Sequence, residues 1–140
     1  MDTRSLFIFG ILGFATAGLM SSVWFGLELK KFVDRTPILA THLDMMRFKR
    51  VVSHQMYAAL LQVVLLSAPI VIFFTGMMFD FLTASDIFVI IVPSVIILIV
   101  AAFTRKWETR AKTMPTASPE IKAERDAIVH TWLRKPLPDW

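Results

Sequence analysis

The residues that could take part in chemistry are few, and three of them are histidines: His42, His54 and His130. Only His54 lies in or beside an apolar run, which makes it the candidate ligand for haem iron or for the magnesium of a pigment. A haem held between helices needs a second strong ligand, and His42 is about 18 Å away along a continuous helix. That separation excludes a metal shared by the two rings. The sequence therefore requires no cofactor. His54 could contact a pigment or haem, or it could serve in ordinary hydrogen bonding or lipid contact.

Motifs of known enzyme chemistry are absent from the sequence. It holds no H-E-x-x-H, G-x-S-x-G, phosphate-binding loop or G-x-G-x-x-G motif. It also holds no cysteine, which removes disulfides, thiolate metal sites and cysteine nucleophiles. Asp80 and Asp86 flank a short turn, where Thr83 and Asp86 have the spacing of a helix-capping pair. We therefore expect a protein that is not an enzyme and that has no metal site.

The composition predicts an all-α integral membrane protein. The chain has 140 residues, of which 56% are hydrophobic and 19% are charged. Soluble domains are nearer 45–50% apolar and about 25% charged, and a chain this short has too little interior to hide the excess. Much of the apolar surface must therefore face lipid or other proteins.

Three long stretches with almost no charge predict three transmembrane helices, over about residues 5–27, 51–78 and 84–103. The first stretch would form a helix of roughly 34 Å, which is enough for a hydrocarbon core of about 30 Å. We expect residues 1–104 to form a three-span membrane domain. Residues 105–140 would then be a tail outside the hydrocarbon.

The basic residues predict how the spans are oriented. One Lys or Arg precedes the first span, six lie between Lys30 and Arg50, none separates the second and third spans, and eight follow Phe103. The positive-inside rule then puts the N-terminus outside and the first loop and C-terminus in the cytoplasm, or on the equivalent side of an organelle membrane. A cleaved signal peptide ending near Ala17 is a rival, but it would place the six basic residues outside. The high isoelectric point reflects this topology and attraction to anionic lipids, so we expect no nucleic-acid partner.

Small residues in the first span predict a face for close helix packing. Gly18, Ser22 and Gly26 recur every four residues and so stack on one face of a helix, where small side chains let backbones approach closely. Such a face could dock a partner subunit or pigment. It could equally pack against the second and third spans of this chain.

Two further segments have the pattern of short amphipathic helices at the membrane surface. In the first loop, residues 37–49 follow a Thr36-Pro37 start signal, and this helix either ends before the second span or runs into it without a break. In the tail, Ser118-Pro119-Glu120 opens a helix over 119–134, and a Pro-rich end that finishes at Trp140 follows it. The tail helix either lies on lipid or clamps a partner. The apolar residues expected to contact that partner are Ile121, Ile128, Trp132 and Leu133, together with Trp140 in the extended end.

These features favour binding over catalysis. We expect an accessory or structural subunit of a larger integral membrane complex, docked through its spans and its tail. A bioenergetic complex, respiratory or photosynthetic, is favoured by analogy, because such complexes carry small helical subunits with ordered tails. Its partners would be other integral membrane subunits and membrane lipids, including anionic ones. The alternatives are a homo-oligomeric small permease or channel component and a membrane assembly factor.

Overall fold

The computed structural model describes residues 2–140, which form four α-helices and one short 3-10 turn. The helices are α1 (Thr3–Arg35), α2 (His42–Met78), α3 (Phe88–Lys112) and α4 (Pro119–Arg134), and the 3-10 turn Ala84–Ile87 leads into α3. Three segments are long and apolar enough to cross a membrane, with mean hydropathies of 1.9, 2.3 and 3.0 in their most apolar windows. The prediction of an all-helical protein with three candidate spans is confirmed, and these helices indicate a multi-pass membrane protein.

The three long helices continue beyond the apolar stretches that predicted them. Helix α1 ends at Arg35 rather than near residue 27, and α3 ends at Lys112 rather than near residue 103. These extra turns bury Leu29, Val33 and Ala111 in a hydrophobic core. Apolar packing therefore stabilises helical turns beyond the residues at which the hydrophobic runs end.

The first loop differs from its prediction. Residues 37–41 are not helical, so the helix begins later than expected. Residues 42–49 are the first turns of α2, which runs without a break into the second candidate span. A capping box at Thr41 marks the start of α2: its hydroxyl accepts from the Asp44 N–H at 3.2 Å, and Asp44 Oδ2 accepts from the Thr41 N–H at 3.0 Å. The helix thus begins after Thr41 and not at the Thr36-Pro37 signal. Helix α4 does span Pro119–Arg134, but its placement on a membrane surface remains a prediction.

The chain forms two compact units, of which the first comprises residues 2–23 and Leu61–Ala101. Its buried core is the cluster Ile11, Phe73 and Leu82. The turn after α2 is closed by the Gly76 carbonyl, which accepts from the N–H groups of Phe81 at 2.9 Å and Leu82 at 3.1 Å.

A cap and an ion pair hold the start of the third candidate span in this unit. As predicted, the Thr83 N–H donates to Asp86, at 2.9 Å from Oδ2. In addition, Arg4 Nη2 donates to Asp86 Oδ1 at 2.6 Å. The carboxylate of Asp86 therefore joins the first turns of α1 to the 3-10 turn.

The second unit comprises Trp24–Leu60 and Ala102–Trp140. Its core draws on all four helices, and it also takes Leu39 from the first loop and Met114 from the segment that follows α3. The backbone of Leu39 pairs with this later segment, donating to the Pro115 carbonyl at 2.9 Å and accepting from the Ala117 N–H at 3.0 Å. The first loop and residues 105–140 are thus packed together. The members of the buried cluster are Leu29, Val33, Leu39, Met45, Phe48, Val51, Val52, Met56, Ala111, Met114 and Ile128.

Candidate functional site

His54, the predicted ligand residue, pairs with a carboxylate of the same unit. Its Nδ1 lies 2.8 Å from Glu28 Oε1. The next residue of α2 reinforces this contact between α1 and α2, since Gln55 Nε2 donates to the Phe25 carbonyl at 2.8 Å. When Nδ1 carries the proton, it donates to Glu28, and Nε2 is left as the nitrogen that can accept a hydrogen bond or bind a metal.

The other two histidines take no part in this pair. His42 is the first residue of α2 and His130 lies on α4, and both are exposed. Within residues 2–140, no group of three or more His, Cys, Asp or Glu side chains is arranged to hold a metal ion. If a cofactor bound at His54, this side chain would be its single ligand from the described residues, and Glu28 would orient the imidazole ring.

The small residues of α1 pack against this chain's own helices. A methyl group on Gly18 would lie 3.6 Å from Ile97 Cδ1 and 3.7 Å from Leu65 Cβ, both in the first unit. In the second unit, a methyl group on Gly26 would lie only 2.3 Å from Thr104 Cγ2. The face formed by Gly18, Ser22 and Gly26 therefore serves close packing within the chain. Docking of another subunit on it stays a prediction.

Ser22, between those glycines, joins a polar contact inside the first unit that the sequence reasoning missed. Its hydroxyl donates to the Gly18 carbonyl at 2.9 Å and accepts from Gln62 Nε2 at 3.0 Å. A hydrogen bond of this kind satisfies polar atoms that would otherwise face hydrocarbon. The available signal was Gln62 itself, an amide within an apolar run.

The apolar stripe of α4 faces the core of the second unit. Ile128 is buried at 2% exposure, and the partly buried Ile121 and Trp132 pack against the same cluster. Lys112 Nζ also lies 4.7 Å from the centroid of the Trp132 ring. Leu133 differs, because it is 62% exposed. Of the predicted contact residues on this helix, Leu133 is the most exposed, and its contact with a partner stays a prediction.

The Pro-rich end returns to its own chain. Trp140 Nε1 donates to Ser53 Oγ at 3.2 Å, while Asp139 pairs with the Lys135 ammonium. The Lys135 ammonium is also the main reason that the pKa of the Asp139 carboxyl is lowered. The ring of Trp140 still keeps much of its surface exposed. Trp140 therefore contacts Ser53 of its own chain, and its docking to a partner stays a prediction.

A set of basic side chains gathers where α1 and α2 leave their apolar stretches. Together with a few other residues, these side chains line an open cleft of about 430 Å³ in the second unit. A second aromatic and basic group lies nearby in the same unit, where the Trp107 ring has three cations within 6 Å of its centroid. The cleft is lined by Glu28, Lys31, Phe32, Arg35, Thr36, Arg47, Arg50 and Val51.

Comparisons with models of protein families, with curated proteins and with solved structures found no match. The proposals below therefore rest on the chain's own geometry.

Proposed function

We propose that this chain is a non-catalytic accessory or structural subunit of a larger integral membrane complex. The observation that carries the proposal is the apolar surface that the chain leaves uncovered. In the most apolar window of the third candidate span, only 6% of the residues are buried. Helices in lipid associate by close packing. Among the described residues of the first unit, the buried cluster is Ile11, Phe73 and Leu82, and Ala15 and Ile97 are also buried. Neighbouring subunits would supply the packing that this small core lacks.

The use of polar groups also supports a binding role. Among residues 2–140, every buried side-chain nitrogen and oxygen has a hydrogen-bond partner. Ser22 and Gln62 in the apolar region satisfy each other rather than line a polar path. Such an arrangement favours a protein that binds neighbouring subunits over a protein that transports or transforms a substrate.

The tail would provide the second docking surface, through Leu133 and Trp140. Both are large apolar side chains with exposed surface in a unit that already has a filled core. Aromatic side chains such as Trp140 are common anchors of protein interfaces, and an exposed aliphatic side chain such as Leu133 would add apolar area beside them. A respiratory or photosynthetic complex is the host that we favour, by analogy with the small helical subunits of such complexes. His54 would there be the residue that reaches a haem or pigment of a neighbouring subunit.

Purification from the native membrane at native expression level tests this proposal. We expect other integral membrane chains to co-purify in mild detergent at constant stoichiometry, as read by native electrophoresis and mass spectrometry. Recovery of the chain solely as a self-oligomer would contradict the proposal and favour a permease or channel component. Recovery at low stoichiometry, with loss from the mature complex, would contradict it in favour of an assembly factor.

A tail variant locates the docking surface. Leu133→Ala should lower the recovery of partners several-fold, because it removes an exposed apolar anchor without opening the core. Leu43→Ala, at a similarly exposed leucine at the start of α2, is the matched control and should leave recovery unchanged. Equal recovery with both variants would remove Leu133 from the interface.

A further inference from the structure

Four basic side chains line one cleft of the second unit. Lys31 and Arg35 lie one helical turn apart near the end of α1, and Arg47 and Arg50 lie in the first turns of α2. All four are exposed. The cleft has a volume of about 430 Å³, which is large enough for a small polar group.

None of these four cations forms an ion pair with a carboxylate within residues 2–140. The nearby acidic residues are engaged elsewhere: Asp34 pairs with Lys30 at 2.7 Å, and Glu124 pairs with Lys49 at 3.2 Å. Asp44 has an electrostatic interaction with Arg47, but its carboxylate accepts hydrogen bonds from the Thr41 N–H and hydroxyl. Glu28 is the single carboxylate of the lining, and its Oε1 lies 2.8 Å from His54 Nδ1. The lining therefore carries four cations against one carboxylate, and this excess of positive charge favours the binding of an anion.

The position of the cleft along the two helices indicates where that anion would come from. Lys31 and Arg35 closely follow the first apolar stretch, and Arg47 and Arg50 immediately precede the second. Residues at the ends of apolar spans lie at the level of the lipid headgroups, where phosphates are abundant. The apolar side chains of Phe32 and Val51 line the same cleft and could contact glycerol or acyl carbons.

We propose that this cleft is a binding site for the phosphate of an anionic glycerophospholipid. Arginine suits this role because its planar guanidinium can donate two hydrogen bonds to one phosphate. Four cations are also sufficient for two singly charged phosphodiesters. A lipid with two phosphates should therefore bind more tightly than one with a single phosphate. This proposal does not depend on whether the chain is a subunit of a complex.

The test measures lipid binding to the full chain. Native mass spectrometry in detergent would follow titration with diphosphatidylglycerol, phosphatidylglycerol or phosphatidylcholine. We expect binding to weaken in that order. The double variant Arg47→Gln/Arg50→Gln should weaken binding of the anionic lipids by about tenfold or more. Lys31→Gln/Arg35→Gln should cause a comparable loss from the other side of the cleft.

The matched control is Lys122→Gln/Arg134→Gln, which removes two exposed basic residues of α4 and changes the net charge equally. It should change lipid binding by no more than about twofold, because general attraction to a charged surface is screened by salt. A loss as large as that of the cleft variants would overturn the proposal, since net charge alone would then explain binding. Equal affinity for phosphatidylcholine would also overturn it.

A further arm separates a lipid headgroup from a free anion. Inorganic phosphate at millimolar concentration should not displace diphosphatidylglycerol, because it lacks the glycerol and acyl groups that reach Phe32 and Val51. Full displacement would contradict the lipid assignment. Thermal unfolding of each variant without added lipid checks its fold. Arg47→Lys/Arg50→Lys, which keeps the charge and loses the planar donors, should give an intermediate affinity.

Discussion

Gly26 of α1 is the position where the absence of a side chain matters most in the second unit. An added Cβ would lie 2.3 Å from Thr104 Cγ2 and 3.4 Å from Thr104 Cβ, on α3. A change of the Thr104 rotamer could move Cγ2, but Cβ is fixed to the α3 backbone and would remain in tight contact with the added atom. We expect Gly26→Ala to lower the free energy of unfolding by about 1–3 kcal/mol, as overpacking does. Thermal unfolding in detergent would measure this change.

Gly13 provides the control for that substitution on the same helix. An added Cβ there meets no atom within 4 Å. Gly13→Ala should therefore leave stability unchanged or raise it by up to about 1 kcal/mol, because alanine is the better helix former. Equal destabilisation by both variants would show that the Gly26 contact does not explain the effect.

The sequence predicts that Gly18, Ser22 and Gly26 share one face, because four-residue spacing does so in any α-helix. What that face contacts depends on residues far away in the chain. Gln62 and Thr104 are the neighbours that decide it, and nothing in the local pattern selects them. The ion pair between Arg4 and Asp86 was missed for the same reason, since the two residues are 82 positions apart.

At the scale of elements, the non-helical segment 37–41 ties the first loop to the chain beyond α3. Leu39 is fully buried at 0% exposure, and its backbone bonds to Pro115 and Ala117. Leu39→Ala would leave a cavity in the core of the second unit and should cost about 2–5 kcal/mol. Limited proteolysis should then cut residues 113–118 faster, together with a lower unfolding temperature.

Leu43→Ala is again the matched control. It removes the same number of atoms as Leu39→Ala, but from a side chain that is 55% exposed. Its unfolding temperature should remain close to that of the unmodified chain. Faster cleavage in both variants would indicate that the bridge around Leu39 does not hold the two segments together.

The elements themselves were largely predictable, because long uncharged apolar runs have few alternatives to a membrane helix. The start of α2 was not. Thr36-Pro37 and Thr41 to Asp44 are both acceptable start signals in sequence. The pairing of Leu39 with Pro115 and Ala117 is incompatible with a helix over residues 37–41. A long-range backbone contact therefore determines which of two locally equivalent caps begins α2.

For the whole molecule, the distribution of basic residues predicts which end faces the cytoplasm. The chain has no cysteine, so single cysteines can report accessibility without background. Ala84→Cys, at the turn before α3, should react with a membrane-impermeant maleimide in intact cells. Ala127→Cys, on an exposed face of α4, should react only after the cells are opened. The reverse pattern would invert the proposed orientation.

The core of the second unit combines residues that are synthesised early with residues that are synthesised late. Leu29 and Val33 are made early, whereas Ile128, which packs into the same cluster, follows roughly one hundred residues later. At about 5–20 residues per second, the ribosome needs on the order of 10 s to supply it. During that interval the early half of the cluster has no late partner to cover it. We infer that the nascent chain is most vulnerable to misfolding and degradation after its second helix has been made and before α4 can pack into the cluster.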